Sequence, residues 1–162
     1  PPSILHRRNV LQSLLKPCGE LAVLPEEASR TLWRSIRDVT PFAAAVTGLE
    51  RPLWRISTAP VQGPEIAARI AAGTDVSILY DWAGGLLWAL LPPSDDAGAG
   101  LVRAAVAACG GHATLIRAPA SARATVSVFE PPDPVAAMLT KRIKQNFDPQ
   151  GVLNPGRMYA GV

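Results

Sequence analysis

The sequence has few of the residues that bind metals or cross-link chains. Its 162 residues include two cysteines and two histidines. Cys18 and Cys109 are far apart, and neither belongs to a Cys-x-x-Cys pair or a histidine cluster. Zinc and iron–sulfur sites need several such ligands at short spacing, so the sequence predicts no metal site. Isolated cysteines also suit a reducing compartment, and we expect a cytoplasmic protein.

Long apolar runs and clustered charge are also missing. No apolar segment approaches the roughly 20 residues needed to cross a bilayer, and the beginning, PPSILHRRNV, lacks the features of a secretory signal. The net charge is +3, from 16 basic and 13 acidic residues scattered along the chain. No basic stripe of the kind that binds nucleic acid is present. Because the sequence does not begin with methionine, we expect a fragment of a longer protein.

Apolar periodicity in the middle of the chain predicts four strands. PLWRIS is the first of these strands along the chain and HATLIR is the last. Between them, TDVSILYDW and LLWALL form a hairpin around Gly84-Gly85. Alternation places four residues on one face of the hairpin's first strand: Val76, Ile78, Tyr80 and Trp82.

Two helices are predicted between these strands, over residues 64–72 and 98–109. The apolar stripe of the first contains Ile66, Ala67, Ile70 and Ala71, with Gly73 as a C-cap signal. That of the second contains Val102, Ala105, Val106 and Cys109. Each helix has one apolar stripe, so both should pack on one face of an antiparallel sheet. The predicted fold is α+β, with a ferredoxin-like βαββαβ unit.

The flanking regions predict further elements. SILHRRNVLQSLLK and EEASRTLWRSIRD have helical spacing, with GELAVL as a strand between them, which indicates a truncated α/β segment. After the middle unit, Asp133 and Pro134 suit the start of a final helix. Its apolar stripe is Val135, Met138, Leu139, Ile143 and Phe147, and its other faces carry Lys141, Arg142 and Lys144.

The chain closes on two stiff turns in FDPQGVLNPGRMYAGV. Asp148-Pro149-Gln150-Gly151 suits a type I turn, and Asn154-Pro155-Gly156-Arg157 suits a type II turn that requires a positive φ at Gly156. Two such turns fix the direction of the tail. The residue types in these turns do not exclude the alternative that the tail packs back on its own domain.

A basic helix followed by FDPQGVLNPGR resembles the C-terminal end of the FAD-linked oxidases of the vanillyl-alcohol oxidase type. Within that family, PLWRIS, LYDWAGGLLWAL, GGHATLIRAP and NPGRMYAGV are similar to the FAD-binding E subunits of bacterial glycolate oxidases, from about Phe42 to the end. The resemblance implies that residues 1–162 are a single C-terminal cap domain whose N-terminal FAD-binding domain lies outside this sequence.

The resemblance also implies cofactor, substrate and partners. FAD would be bound mainly by the other domain, with Asn154, Gly156 and Arg157 of the tail as candidate contacts. For Asn154, a turn residue bonded to its own backbone is the alternative. The reaction would be oxidation of glycolate, a small 2-hydroxy acid, to glyoxylate. Partners would be a second flavoprotein subunit and an iron–sulfur subunit, through which the protein could associate with a membrane.

Oxidation of a 2-hydroxy acid by a flavin needs a cation for the carboxylate and a base for the hydroxyl proton, while the flavin accepts the hydride. His112, at the start of the last strand, is the candidate base, although histidine there is commonly a surface or turn residue. Trp82 and Trp88 could cover a cofactor or face a partner, with core packing as the alternative. The sequence contains no Ser-His-Asp set, phosphate loop or carboxylate pair. We therefore expect the fragment to be inactive alone.

A second class of function fits the same fold. An autonomous ferredoxin-like module could bind a small ligand or mediate oligomerisation without redox chemistry. An RNA-binding version is disfavoured, because PLWRIS and HATLIR lack the interleaved aromatic and basic residues that stack and hold RNA.

Overall fold

The computed structural model describes the backbone of residues 2–159 and the side chains of residues 3–159. The chain divides into two compact units, Pro1–Asp38 and Val39–Val162. Within the described residues no helix is long and apolar enough to cross a membrane. The expectation of one domain over residues 1–162 stays a prediction.

The first unit contains two helices, α1 (Pro2–Leu15) and α2 (Glu26–Arg37), with a 3-10 turn at Lys16–Cys18. The helices agree with the apolar spacing. The predicted strand GELAVL is wrong, because these residues have no strand hydrogen bonding in the structure. A strand needs a neighbour for its backbone hydrogen bonds, and the described part of this unit offers none. The leading segment is therefore helical and not α/β.

The second unit carries the predicted βαββαβ order. Its elements are α3 (Ala44–Thr47), β1 (Leu53–Ser57), α4 (Gly63–Gly73), β2 (Ser77–Asp81), β3 (Leu86–Leu90), α5 (Ala99–Cys109), β4 (His112–Arg117), α6 (Ala120–Thr125) and α7 (Pro134–Phe147). The four strands form one antiparallel sheet in the order β2-β3-β1-β4. The α+β prediction is confirmed, and the strand order is that of a ferredoxin-like unit.

One face of the sheet packs against α4 and α5. Trp54 and Ile56 of β1 are fully buried there, together with residues of both helices that the apolar stripes predicted: Ile66, Ala67, Ile70, Val102, Ala105 and Val106. The indole Nε1 of Trp54 donates a 2.8 Å hydrogen bond to the carbonyl of Ala97, which satisfies the polar atom of this buried ring. Glu65 and Arg69 pair at 2.9 Å on the solvent side of α4, as expected.

Two details of the helix α4 differ from the predictions. Ala71 is exposed, because the buried stripe is narrower than the sequence suggested. Gly73 ends the helix without adopting a left-handed conformation, and Thr74 follows in an extended one. A Cβ atom at Gly73 would lie 2.8 Å from Leu101 Cδ1, so this glycine allows α5 to approach closely.

The other face of the sheet is covered at one end only within the described residues. Val39 and Phe42 pack there against Leu53 and Leu90. Arg117 holds this cover in place. Its Nη1 donates to the carbonyl of Phe42 at 2.9 Å, and its Nη2 to Oγ1 of Thr47 at 2.8 Å. Leu79 and Trp88 are partly buried and also pack against this cluster. We call the part of this surface beyond Val39 and Phe42 the open face; its residues are Arg55, Ser57, Leu79, Asp81, Leu86, Trp88, His112 and Thr114, of which Leu86 is buried.

The chain leaves the sheet along the outer edge of β4. The amide of Leu115 donates to the carbonyl of Val128 at 2.8 Å. Arg103 of α5 donates to the carbonyls of Ser127 and Phe129, the latter at 3.2 Å. The segment that leads to α7 is therefore fixed to the sheet and to α5.

Candidate functional site

The C-terminal tail adopts both predicted turns. The amide of Gly151 donates to the carbonyl of Asp148 at 3.1 Å, and that of Arg157 to the carbonyl of Asn154 at 3.2 Å. Gly156 has a φ of +67°, as the second turn requires. The predicted start of α7 is also confirmed, because the side chain of Asp133 accepts from the amides of Val135 and Ala136.

Asp148 connects α7 to the tail. Its carboxylate lies 2.6 Å from Nζ of Lys144, and it accepts from the amides of Val152 at 3.0 Å and Leu153 at 2.8 Å. Lys144 also donates to the carbonyl of Leu153. The hydrogen bond from Lys144 and those from the two amides lower the pKa of Asp148 to about 2. The first tail residues therefore have a set position relative to the end of α7.

The predicted apolar stripe of α7 exists, but it is not buried by the described residues. Its five members are each at least 50% exposed: Val135, Met138, Leu139, Ile143 and Phe147. Val152, Leu153 and Met158 of the tail are exposed as well. We call these eight side chains the terminal apolar surface. Apolar surface of this extent commonly marks an interaction site.

A cleft of about 460 Å³ lies between α7 and the two turns. Lys141, Lys144 and Gln145 line one side, and Gly151 and Gly156 are among the turn residues on the other. Of the predicted cofactor contacts, Gly156 therefore lines a cleft, while Asn154 and Arg157 are exposed beside it. The side chains of Asn154 and Arg157 make no hydrogen bond within the described residues, so their predicted roles stay predictions.

The open face contains the candidate base. His112 is the first residue of β4, is exposed, and pairs in register with Ser57. Its neighbour Ala113 faces the buried core, so strand alternation places His112 on the open face. The next row on this face contains Arg55, with Trp88 and Thr114 directly opposite it on the two adjacent strands.

Trp82 leaves the position that alternation predicted. The strand β2 ends at Asp81, and Trp82 and Ala83 both have positive φ values, of 50° and 54°. This conformation is unusual for residues with side chains. It places the Trp82 ring 5.8 Å from the guanidinium carbon of Arg55, which belongs to the open face. The hairpin connection is therefore longer than the predicted Gly84-Gly85 turn, and Trp82 is not on the core side.

One place where the pyrophosphate of FAD could bind, the start of α5, already holds a carboxylate. A helix N-terminus after a strand is the usual place for such a group. At the start of α5, however, the carboxylate of Asp96 already accepts from the amides of Gly98 at 2.9 Å and Gly100 at 3.1 Å. These bonds lower the pKa of Asp96, so the position carries a negative charge.

The contacts of three residues are not among the sequence predictions. The sequence predicts Asp148 only as a turn residue, although its i,i+4 spacing from Lys144 is a signal for the ion pair that the structure contains. Arg55 and Arg117 give no signal in the sequence, because each contacts residues distant along the chain. Among the described residues no group of three or more His, Cys, Asp or Glu side chains that could hold a metal ion occurs.

The fold and the site together define a ferredoxin-like α+β unit that carries a fixed C-terminal tail and an exposed apolar helix face. The chain is similar to the glycolate oxidase subunit GlcE of Escherichia coli (strain K12), with 32% identity over 136 residues. The match covers 83% of this chain and 33% of GlcE, so the chain spans about a third of that relative's length. The resemblance to glycolate oxidase E subunits is thereby confirmed. No family model matches the chain, and no solved structure matches it significantly.

Proposed function

We propose that this chain is the C-terminal cap region of a glycolate oxidase FAD-binding subunit. In this role it supports flavin-dependent oxidation of glycolate to glyoxylate and electron transfer within a multisubunit complex. The observation that carries the proposal is the similarity to GlcE over 83% of the chain. A second flavoprotein subunit and an iron–sulfur subunit are the proposed partners, on the resemblance alone.

The terminal apolar surface supports the idea that the tail meets a flavin-binding domain. Its side chains are each at least half exposed within the described residues, yet the turns beside them are held by Asp148 and Lys144. A fixed direction of the tail is useful if the tail contacts another domain. The proposed occupant of this surface is the flavin-binding domain of the same subunit, which would also hold most of the FAD.

Within this arrangement, the tail adds a few contacts to the FAD that the flavin-binding domain holds. Asn154 supplies an amide side chain and Arg157 a guanidinium, which suit the polar edge of a flavin and an anionic group respectively. Gly156 lets the backbone approach closely, because glycine has no side chain, and its φ of +67° is a conformation that residues with side chains rarely adopt. The flavin would supply the hydride acceptor.

The test is the double variant Asn154→Ala with Arg157→Ala in a subunit that contains this chain and a flavin-binding domain. We expect faster loss of FAD, measured by absorbance after dialysis, with the melting temperature of the cap almost unchanged. The matched control is Asn146→Ala with Arg123→Ala, which removes the same side-chain types from other exposed positions. Equal FAD content in the double variant and the wild type would reject the cofactor-facing tail.

The second candidate is an autonomous module that associates through its exposed helix face. The terminal apolar surface favours this function too, because two copies could bury it against each other. Sedimentation of the purified chain distinguishes the two. A stable dimer that Leu139→Lys converts to a monomer would favour the module, whereas a monomer that binds a flavin-binding domain would favour the cap.

A further inference from the structure

Arg55 stands apart from the other half-buried arginines of the described residues. Arg51, Arg103 and Arg117 each donate hydrogen bonds to backbone carbonyls. Arg55 is equally half-buried on the open face, but within the described residues it has no hydrogen-bond acceptor and no carboxylate partner. The nitrogens of Arg55 are not among the buried side-chain atoms that lack a partner, so its guanidinium is open to solvent on the open face. A guanidinium that has no acceptor within the described residues and is open to solvent can donate to an acceptor that comes from solution.

We propose that Arg55 binds the carboxylate of a small 2-hydroxy acid on the open face of the sheet. The choice of a 2-hydroxy acid rests on the proposed function, whereas the choice of a carboxylate rests on the arginine itself. A guanidinium presents a planar set of donors that matches the two oxygens of a carboxylate.

Trp82 holds the guanidinium of Arg55 in place. The ring lies 5.8 Å from the guanidinium carbon, within the range of a cation–π contact. Such a contact uses the face of the guanidinium and leaves its N–H edges available for hydrogen bonds. The arginine is therefore oriented before any ligand arrives, which lowers the entropic cost of binding.

The loop that carries Trp82 is itself fixed. The carboxylate of Asp81 accepts from the amide of Trp82 at 2.7 Å, and the amide of Gly85 donates to the carbonyl of Trp82 at 3.0 Å. The amide of Thr58 donates to the carbonyl of Gly85 at 3.0 Å, so the loop is tied to the end of β1. Unfavourable φ values persist only where surrounding contacts hold them, and they are enriched at binding sites. Here they place an aromatic ring over a cation.

Polar side chains near Arg55 suit the hydroxyl group of such a ligand. Thr114 lies directly opposite Arg55 in the register, and Ser57 and His112 form the next row on the same face. Side chains two residues apart along a strand are within reach of one small molecule. A 2-hydroxy acid whose carboxylate binds Arg55 would therefore have its hydroxyl near Thr114 or His112.

The experiment uses the purified chain and two-dimensional NMR. Glycolate should cause saturable shifts of the Trp82 and Trp88 indole signals and of Arg55 Nε–H, while the uncharged glycolamide should cause none. Arg55→Gln should weaken glycolate binding at least tenfold, and Arg55→Lys should retain part of it. The matched control Arg69→Gln removes an exposed arginine from α4 and should leave binding unchanged. Unchanged core amide signals will establish that each variant is folded.

The possible outcomes separate this proposal from the proposed function. An absence of saturable shifts in the wild type, or equal binding by Arg55→Gln, would overturn the site. An equal affinity for acetate would overturn the assignment to a 2-hydroxy acid. The retention of FAD by the tail is measured in a separate experiment. If glycolate does not bind at Arg55 but FAD retention still depends on Asn154 and Arg157, the Arg55 site is rejected and the proposed function is not.

Discussion

At the scale of single residues, Asp148 combines a structural role with an electrostatic consequence. Its charged form is stabilised by the ammonium of Lys144 and by two backbone amides. A proton on this carboxylate would weaken all three contacts. The first residues of the tail therefore depend on the ionisation of one side chain.

The pH dependence of the tail follows from the direction of this shift. The folded pKa of Asp148 is about 2, below the ordinary value of 3.8. Its stabilising effect is complete above about pH 4 and is lost as the pH falls through the folded pKa. We expect the amide signals of Val152 and Leu153 to change with a midpoint near pH 2.

The variant Asp148→Asn is the control for this titration. It keeps the shape of the side chain and removes the charge, so the two amide signals should show no transition in that range. A wild-type midpoint at the ordinary pKa of an aspartate would show that the carboxylate is not anchored to Lys144 and the tail.

At the scale of elements, the contact between α4 and the hairpin loop depends on glycine. Gly63 begins α4, and a Cβ atom there would lie 2.2 Å from the carbonyl oxygen of Gly84. That oxygen is part of the backbone, so it cannot move away without displacing the loop. Gly100 of α5 is also helical, but its nearest neighbour would be 3.6 Å away, at Asp96 Oδ2.

The two glycines therefore predict opposite effects of the same substitution. Gly63→Ala should lower the free energy of unfolding by about 2 kcal/mol, because the helix or the loop must shift. Gly100→Ala should raise it by about 0.5 kcal/mol, since alanine favours the helix and meets no obstruction. Urea denaturation of both variants is the measurement. A stable Gly63→Ala variant would contradict the close approach of α4 and the loop.

The packing of α5 on the sheet gives a second prediction at this scale. Val106 is 2% exposed and belongs to the core beneath the sheet. Val106→Asp places an unpaired charge there and should cost more than about 3 kcal/mol of stability. Ala104→Asp, on the exposed side of the same helix, should cost less than about 1 kcal/mol. Similar melting temperatures for the two variants would refute the helix orientation.

At the scale of the whole molecule, the proposal of a cap region predicts that this chain does not retain FAD by itself. The carboxylate of Asp96 already accepts hydrogen bonds from the amides at the start of α5. The tail could contact FAD only through the residues in and beside its cleft. We expect calorimetry of the purified chain with FAD to show no tight stoichiometric binding. Tight binding with one FAD per chain would mean that the cofactor site lies within this chain. Asp96→Ala is a useful comparison, because it removes the carboxylate at the start of α5 and leaves the amide of Gly100 without that acceptor, while the amide of Gly98 keeps Oγ of Ser94.

The sequence by itself determined most of the second unit. The apolar alternation of PLWRIS and LLWALL and the stripes around Ile66 and Val102 predict strands and helices that the fold contains at those positions. These signals are local, because a strand or helix that buries one face must repeat apolar residues at its own period. The tail turns were also predictable, since proline and glycine restrict the backbone at their own positions.

Only the tertiary structure decided which residues meet across long sequence separations. GELAVL has the composition of a strand, but strand formation depends on a neighbour that composition does not reveal. The stripe of α7 predicted a buried face, whereas burial depends on what packs against it. Arg55 is placed beside Trp82 because backbone conformation in the hairpin loop turns that ring to the open face. Periodicity describes one element at a time, and a binding face is formed where several elements come together.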